Sequence, residues 1–497
     1  MTDVTSAAPT MPQPVARWEK PVVALILLIA AALRLHGISS WLLANVDEVS
    51  ALNQIGLPFL SGASTHSNYL LTTVLLKTVG WLLPFPYIRI LTALTNVAAL
   101  SATYWALRGV TVRAVAFMTL AALTLSWNVL YYSRIFECGS FDPSVACFFM
   151  ACVLRWMRDR SQVRWLAGAS LLLGFHFNTH ALPCFYALAV FAVFLALQLR
   201  RRLLSFKGAV LAATAFGAGT IPYLYTAVAF PHFDSALGAS YGTLSMEPTL
   251  QWAVNFRHPL YYLRTLTEYL TFYPLPEASL LLPGFALFCL LAVLAGVLAT
   301  PPSPLKGYLV IMSFGLLVVI GLSPFPVYNE GHLHFFWPHF LALLSLLIYQ
   351  SRRALRVVLA LTGVSLVGLN LVWLPHILQN QVVAVEDVLA RNLDHGETVY
   401  ISDGAMLKLR WLDVYRTLES HPLVPFVCQG PEAMQPFSAL KLGQKAVVII
   451  TSDGVWPPPS FTGRLNDVLL LSDEQLMEAY QSHGLRIYEI TPQAAPP

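Results

Sequence analysis

Charge is what this sequence has little of: Asp, Glu, Lys and Arg make up 11% of its 497 residues, where a soluble domain carries roughly 25%. An ordinary soluble protein is thereby excluded. Cysteine is scarce as well, with six in the chain, too few for a disulfide framework. Cys147, Cys152, Cys184 and Cys289 fall inside apolar runs, and only Cys138 and Cys428 stand where an oxidising compartment would act. There is no Gly-x-Gly-x-x-Gly and no Walker A sequence, so nothing points to a nucleotide-binding fold or to nucleotide-activated donors. Glycine and proline are ordinary in number and aromatics reach 12%, which excludes collagen and disorder.

What is present is hydrophobic. Apolar residues make up 56% of the chain and mean hydropathy is +0.62, with apolar runs at 21–33, 181–199 and 280–299, the last two of membrane length by themselves. The pattern predicts a polytopic α-helical protein with eleven spans, near 21–38, 88–107, 112–131, 142–158, 163–180, 182–199, 208–230, 278–299, 307–324, 335–350 and 354–374. Before position 375 there are 22 basic residues. With the N-terminal tail 1–20 inside, 16 of them, including Arg155–Arg164 and Arg200–Lys207, fall on the cytoplasmic side, as the positive-inside rule requires. The expected location is therefore a bacterial inner membrane, crossed many times. The first run also has features of a cleaved signal peptide, Ala30-Ala31-Ala32 resembling a cleavage region, but Asp3, Glu19 and three prolines make a poor leading segment.

The long connections, at 39–87, 231–277 and 325–334, are the outer ones, so function is expected on that face. Residues 68–85 are apolar enough for a further span, but a crossing there would place the two arginine-rich turns outside. An interfacial helix fits better. Beyond Trp373 the composition changes: residues 385–497 carry 14 of the 26 acidic residues and eight of the 30 basic ones. That reads as a small soluble α/β domain, extracytoplasmic by the odd span count. Its expected strands are 397–403, 445–451 and 485–490, with helical patterns at 405–419 and 474–482.

No Asp, Glu, Lys or Arg occupies a span centre, whereas transporters and proton pumps place ionisable groups there. Ionisable residues collect instead at the outer boundary. Asp47 and Glu48 form an adjacent acidic pair just beyond the first span. They read either as a solvated helix start with an N-cap or as a general base for an acceptor hydroxyl or amine. Arg89 and Arg134, at outer helix ends, either snorkel or hold a phosphate, for which the guanidinium fork is suited. His176 and His180 share a helix face, as hydrogen-bonded cavity residues or as metal ligands; Glu330, His332 and His334 have the same two readings.

The order of these motifs resembles the C-type integral membrane glycosyltransferases, in particular the group containing protein O-mannosyltransferases and the lipid A aminoarabinose transferase. The resemblance runs from Ala32 to about Arg158. It begins with Leu33-Arg34-Leu35 and Asn45-Val46-Asp47-Glu48, similar to the family's acidic pair in the first outer loop. Thr65-His66-Ser67-Asn68 takes the place of a family His-Pro-Pro-Leu or Glu-Lys-Pro element, without the prolines. Ile88-Arg89-Ile90-Leu91, Tyr132-Ser133-Arg134 and Phe141-Asp142-Pro143 follow in order. Gly174-Phe175-His176 and His334-Phe335-Phe336-Trp337-Pro338 are looser matches, the latter with histidine where arginine is commoner.

The resemblance implies transfer of a sugar from a polyprenyl-phosphate donor to a lipid, polysaccharide or protein acceptor on the outer face, with Asp47 as general base and Glu48 assisting. It implies that His66, Arg89, Arg134, Asp142, Arg257 and His334 bind donor phosphate or substrate. Divalent Mg or Mn is required in only part of the family. No nucleic acid is expected as a partner. Two other readings stay open on the sequence: a lipid-linked sugar flippase, and a ligase using a polyprenyl-pyrophosphate donor.

Overall fold

The computed structural model describes residues 14–38, 87–136, 138–178, 181–229, 281–323, 333–372, 398–402, 421–426, 446–451, 463–470 and 485–492, with 75, 78–80, 82–83, 259, 262–263, 266–267, 270 and 374. The chain divides into two compact units. One comprises 1–35, 54–78 and 90–374, the other 36–53, 79–89 and 375–497.

The first unit is helical. In chain order it contains α1 (Glu19–Leu35), α2 (Arg89–Val110), α3 (Arg113–Leu125), the short α4 (Trp127–Tyr132), α5 (Asp142–Arg158), α6 (Val163–His176), α7 (Ala181–Arg200), α8 (Phe206–Ala229), α9 (Leu281–Ala299), α10 (Pro304–Leu322), α11 (Phe336–Gln350) and α12 (Arg353–Val372). Ten of the eleven expected spans overlap one helix each, and that at 112–131 overlaps two. By length and composition, four apolar segments among the described residues would cross a membrane unaided, namely 89–110, 182–200, 304–322 and 353–372, and shorter apolar helices run over 113–125, 284–299 and 336–350. The core joins α2, α3, α5, α7, α10 and α11 through residues such as Leu107, Leu120, Phe149, Phe191, Tyr308 and Phe340, all essentially inaccessible. Helices α6 and α8 press together at glycine: a Cβ on Gly174 would lie 2.2 Å from the Phe216 carbonyl oxygen, and one on Gly219 would lie 2.5 Å from that of Leu171. Small residues permit such backbone approach in membrane bundles.

One expected span is divided. Over 112–131 the helix stops at Leu125, Ser126 is extended (φ −67°, ψ 123°), and α4 resumes at Trp127. An interrupted helix leaves main-chain groups that lipid cannot satisfy, and side chains from distant helices supply the partners. Trp127 N–H donates to Asn370 Oδ1 at 2.7 Å, Trp337 Nε1 donates to Ser126 Oγ at 2.8 Å, and that hydroxyl donates to the Ala122 carbonyl at 2.6 Å. No glycine or proline marks the break in the sequence.

At the opposite end of α1, Glu19 is fully buried between Arg108 Nε (2.7 Å) and Arg113 Nε (3.0 Å) and accepts from the Tyr104 hydroxyl at 2.8 Å. Both arginines also reach the Pro14 carbonyl, and Trp18 stacks on Phe117.

The second unit holds a five-stranded sheet of order β2-β1-β3-β5-β4, from β1 (Val399–Ser402), β2 (Leu423–Phe426), β3 (Ala446–Thr451), β4 (Gly463–Leu470) and β5 (Leu485–Pro492). β2, β1 and β3 run parallel, with Tyr400 opposite both Val424 and Val448. β5 and β4 continue antiparallel, with Ile487 opposite Ile449 and Leu469. Buried on both faces, Val399, Tyr400 and Ile401 of β1 and the first four residues of β3 read as unbroken apolar runs rather than alternating ones. The three expected strands are present. β2, interrupted by Pro425, and β4, with Arg464, Asn466 and Asp467, lack that signal. The expected helices at 405–419 and 474–482, most of the 68–85 segment and Cys428 lie outside the described residues; Cys147, Cys152, Cys184 and Cys289 are free thiols.

Candidate functional site

The site is built where five helices end. α1 finishes with Arg34, whose side chain is fully buried; Nε donates to Asn96 Oδ1 of α2 at 2.8 Å and Nη1 to the Ala30 carbonyl at 3.0 Å. Asn96 passes the contact on, its Nδ2 donating to Ser144 Oγ in the first turn of α5 at 3.2 Å. The turn after α4 is fastened to α2 by Thr92, whose hydroxyl lies 3.1 Å from the Ser133 carbonyl and 3.0 Å from that of Ile135. That turn carries Arg134, which is buried and donates from Nη1 to the Leu33 carbonyl at 2.6 Å. Two guanidinium groups thus meet the last turn of α1, where helix-end carbonyls favour cations.

Asp142 opens α5, with Pro143 behind it in the first turn, a position proline fills without losing a hydrogen bond. Its carboxylate stands 2.9 Å from His176 Nε2 in the last turn of α6, and neither residue has accessible surface. The His176 ring packs against Phe335 at 5.7 Å between centroids, and the next ring back, His334, meets Tyr132 edge-on at 4.3 Å. Asn178 holds the exit of α6, donating to the carbonyls of Phe175 (2.7 Å) and Gly219 (3.2 Å).

Of the expected site residues, Arg134, Asp142 and His334 belong to this cluster, along with His176. Arg89 begins α2 and donates from Nη1 to the Ile38 carbonyl at 3.1 Å within the second unit, fully buried. Asp47, Glu48, His66 and Arg257 lie outside the described residues. Among the described residues no three His, Cys, Asp or Glu side chains converge in a metal-holding group. Sequence reasoning passed over Asn96, Thr92 and Ser144, since neutral polar residues in apolar helices carry no charge to flag them. The available signal was position: Thr92 and Asn96 are four apart and so share one face of α2.

Chemically the cluster pairs cations with a buried carboxylate–imidazole couple at the end of a membrane bundle. Such a region can neutralise an anionic group and fix a neighbouring chain against it.

No protein-family profile matches the sequence, and no curated protein sequence is significantly similar to it. Solved structures are. The ArnT protein of Cupriavidus metallidurans bound to undecaprenyl phosphate superposes with a TM-score of 0.55 at 13% identity, over 95% of this chain and 98% of that one. The same protein in the apo state gives 0.41 at 15% identity over 95% and 97%. An oligosaccharyltransferase of Archaeoglobus fulgidus gives 0.45 at 11%, over 87% of this chain and 69% of that one. The first of these likenesses shows that the chain shares the fold of that ArnT protein over nearly its whole length.

Proposed function

We propose that the protein is a membrane glycosyltransferase that moves a sugar from a polyprenyl-phosphate donor to an acceptor on the outer face of the membrane. The observation that supports it best is a fold shared almost end to end with a chain whose structure holds undecaprenyl phosphate. Eleven membrane spans, an N-terminus inside and an outer C-terminal domain belong to the same reading.

In this reading Asp47 accepts the proton of the acceptor hydroxyl or amine as that atom attacks the anomeric carbon. The new bond to carbon forms as the bond to the donor phosphate oxygen breaks, with inversion, through an oxocarbenium-like transition state. Polyprenyl phosphate departs with the electron pair. Cationic groups at the outer boundary, Arg134, Arg89 and Arg257, stabilise its charge in surroundings where electrostatics are strong. Glu48 orients the acceptor, and His66, Asp142 and His334 line the donor side. Where the reaction needs Mg or Mn, Glu48 or Asp142 would hold it.

The deciding experiment is the isosteric change Asp47→Asn in a reconstituted transfer assay. Turnover is expected to fall by about 10³-fold or more, in line with loss of a general base and its orienting charge, while expression and membrane insertion stay normal. Near-normal turnover refutes the role given to Asp47. Mass spectrometry of envelope glycans from cells lacking the chain, complemented by wild type or Asp47→Asn, then names the sugar and the acceptor.

A further inference from the structure

One set of helix ends in the helical unit carries many cations against a single carboxylate. The turns joining α5 to α6 and α7 to α8, with the helix ends that flank them, hold seven arginines and Lys207 between positions 155 and 207, against one acidic residue, Asp159. None of these eight cations has an ion-pair partner among the described residues. Asp159 is spoken for. Ser161 Oγ donates to it at 2.6 Å, Gln162 Nε2 at 2.6 Å and the Ser161 amide at 3.1 Å, and these bonds, with the charge of Arg158, hold its carboxyl below the ordinary range.

The two turns form one surface. Arg160 Nη1 donates to Gln198 Oε1 at 3.0 Å and to the Leu203 carbonyl at 3.3 Å, and its guanidinium lies 4.9 Å from the Trp156 ring. Arg155 and Arg164 both stand over Trp165, at 4.4 and 5.7 Å. Apolar side chains are exposed in the same place, Phe206 at 76% and Leu203 at 42%. A surface for a dissolved anion has no use for these, whereas indoles and apolar rims beside arginine belong at headgroup depth.

The backbone adds a separate observation. α7 ends with Arg202 N–H on the Leu199 carbonyl and Leu203 N–H on the Gln198 carbonyl, both 2.9 Å. This cap places its left-handed residue at Arg202, with φ of 56°. Glycine occupies that position without strain; here an exposed arginine does. Strain retained at a charged surface position points to use of the side chain.

We propose that these two turns form a binding surface for acidic phospholipid headgroups of the leaflet they face, with Arg200, Arg201 and Arg202 as its core. The phosphate of such a lipid meets several guanidinium forks while its acyl chains run along the exposed apolar residues. The assignment does not depend on the transfer reaction.

The test uses the purified full chain, scored by native mass spectrometry for lipid retained from mixed micelles of phosphatidylglycerol and phosphatidylcholine. Wild type is expected to retain phosphatidylglycerol selectively, with the preference shrinking as salt rises. Arg200→Gln with Arg201→Gln should weaken retention about fivefold for each cation lost. Arg202→Gly separates function from architecture: it should raise the thermal midpoint in neutral detergent, because glycine relieves the strained cap, yet still lower phosphatidylglycerol retention. Equal retention of the two lipids by wild type, or undiminished retention in these variants, overturns the proposal. So does complete displacement of the lipid by millimolar inorganic phosphate, which would make this a site for soluble anions.

Discussion

Glu19 shows how one residue can hold a helix end in place. Burial alone pushes its carboxyl upward, but hydrogen bonds from Arg108, Tyr104 and the Ala16 amide, with the charge of Arg108, outweigh that and leave its pKa below the ordinary value. A carboxyl depressed in the folded state contributes stability that is present above its unfolded value, near 4.3, and is lost as pH falls through the folded one. Glu19→Gln should cost roughly 3 kcal/mol at neutral pH, because Arg108 and Arg113 would then face a neutral amide in a closed site. The gap between variant and wild type should narrow below about pH 4, read as thermal midpoint against pH in detergent. A gap that stays constant through acid pH would show that the carboxylate's charge does not matter. In sequence this residue was visible only as an acid in an unpromising leader. Its partners lie some ninety residues away, and local patterns carry no information about them.

At the scale of the element, hydropathy located the helices well, because lipid imposes nearly continuous apolar runs. It located their ends and interruptions poorly. Ser126 breaks a run that holds no glycine or proline, and the groups that accommodate the break, Asn370 and Trp337, come from α12 and α11. The contact of α6 with α8 was half legible: Gly174 stood in a motif shared with a known family, but nothing in the sequence announced that the Phe216 carbonyl would sit against it. Gly174→Ala should therefore lower stability by roughly 1–3 kcal/mol, the usual range for overpacking. The backbone oxygen cannot rotate away as a side chain would, so the helices must part. Thermal unfolding of the purified variant checks this, and a midpoint equal to wild type would mean the helices slide past each other freely. Of the candidate site, the charged members Arg134 and Asp142 were legible by type and position. The neutral links through Thr92, Asn96 and Ser144 were not, because a lone hydroxyl or amide in an apolar helix has many structural uses.

For the whole molecule, the distribution of charge separates catalysis from transport. Reconstituted into sealed vesicles carrying the lipid-linked sugar in the leaflet of the outer loops, the protein should transfer sugar to an acceptor supplied on that side. It should leave donor in the opposite leaflet untouched, since no span centre carries Asp, Glu, Lys or Arg. Donor crossing the bilayer chemically unchanged would favour the flippase reading instead. A requirement for a pyrophosphate-linked donor would favour the ligase.

The interruption at Ser126 also bears on how the protein is made. The Trp127 amide finds its acceptor on Asn370, 243 residues further along the chain. At about 5–20 residues per second, synthesis takes on the order of tens of seconds to cover that distance. Throughout that interval the third span stands in the translocation machinery or the bilayer without its Asn370 partner. The bundle cannot close until its last helix arrives, and truncation anywhere before α12 leaves an early helix incomplete as well as a late one missing.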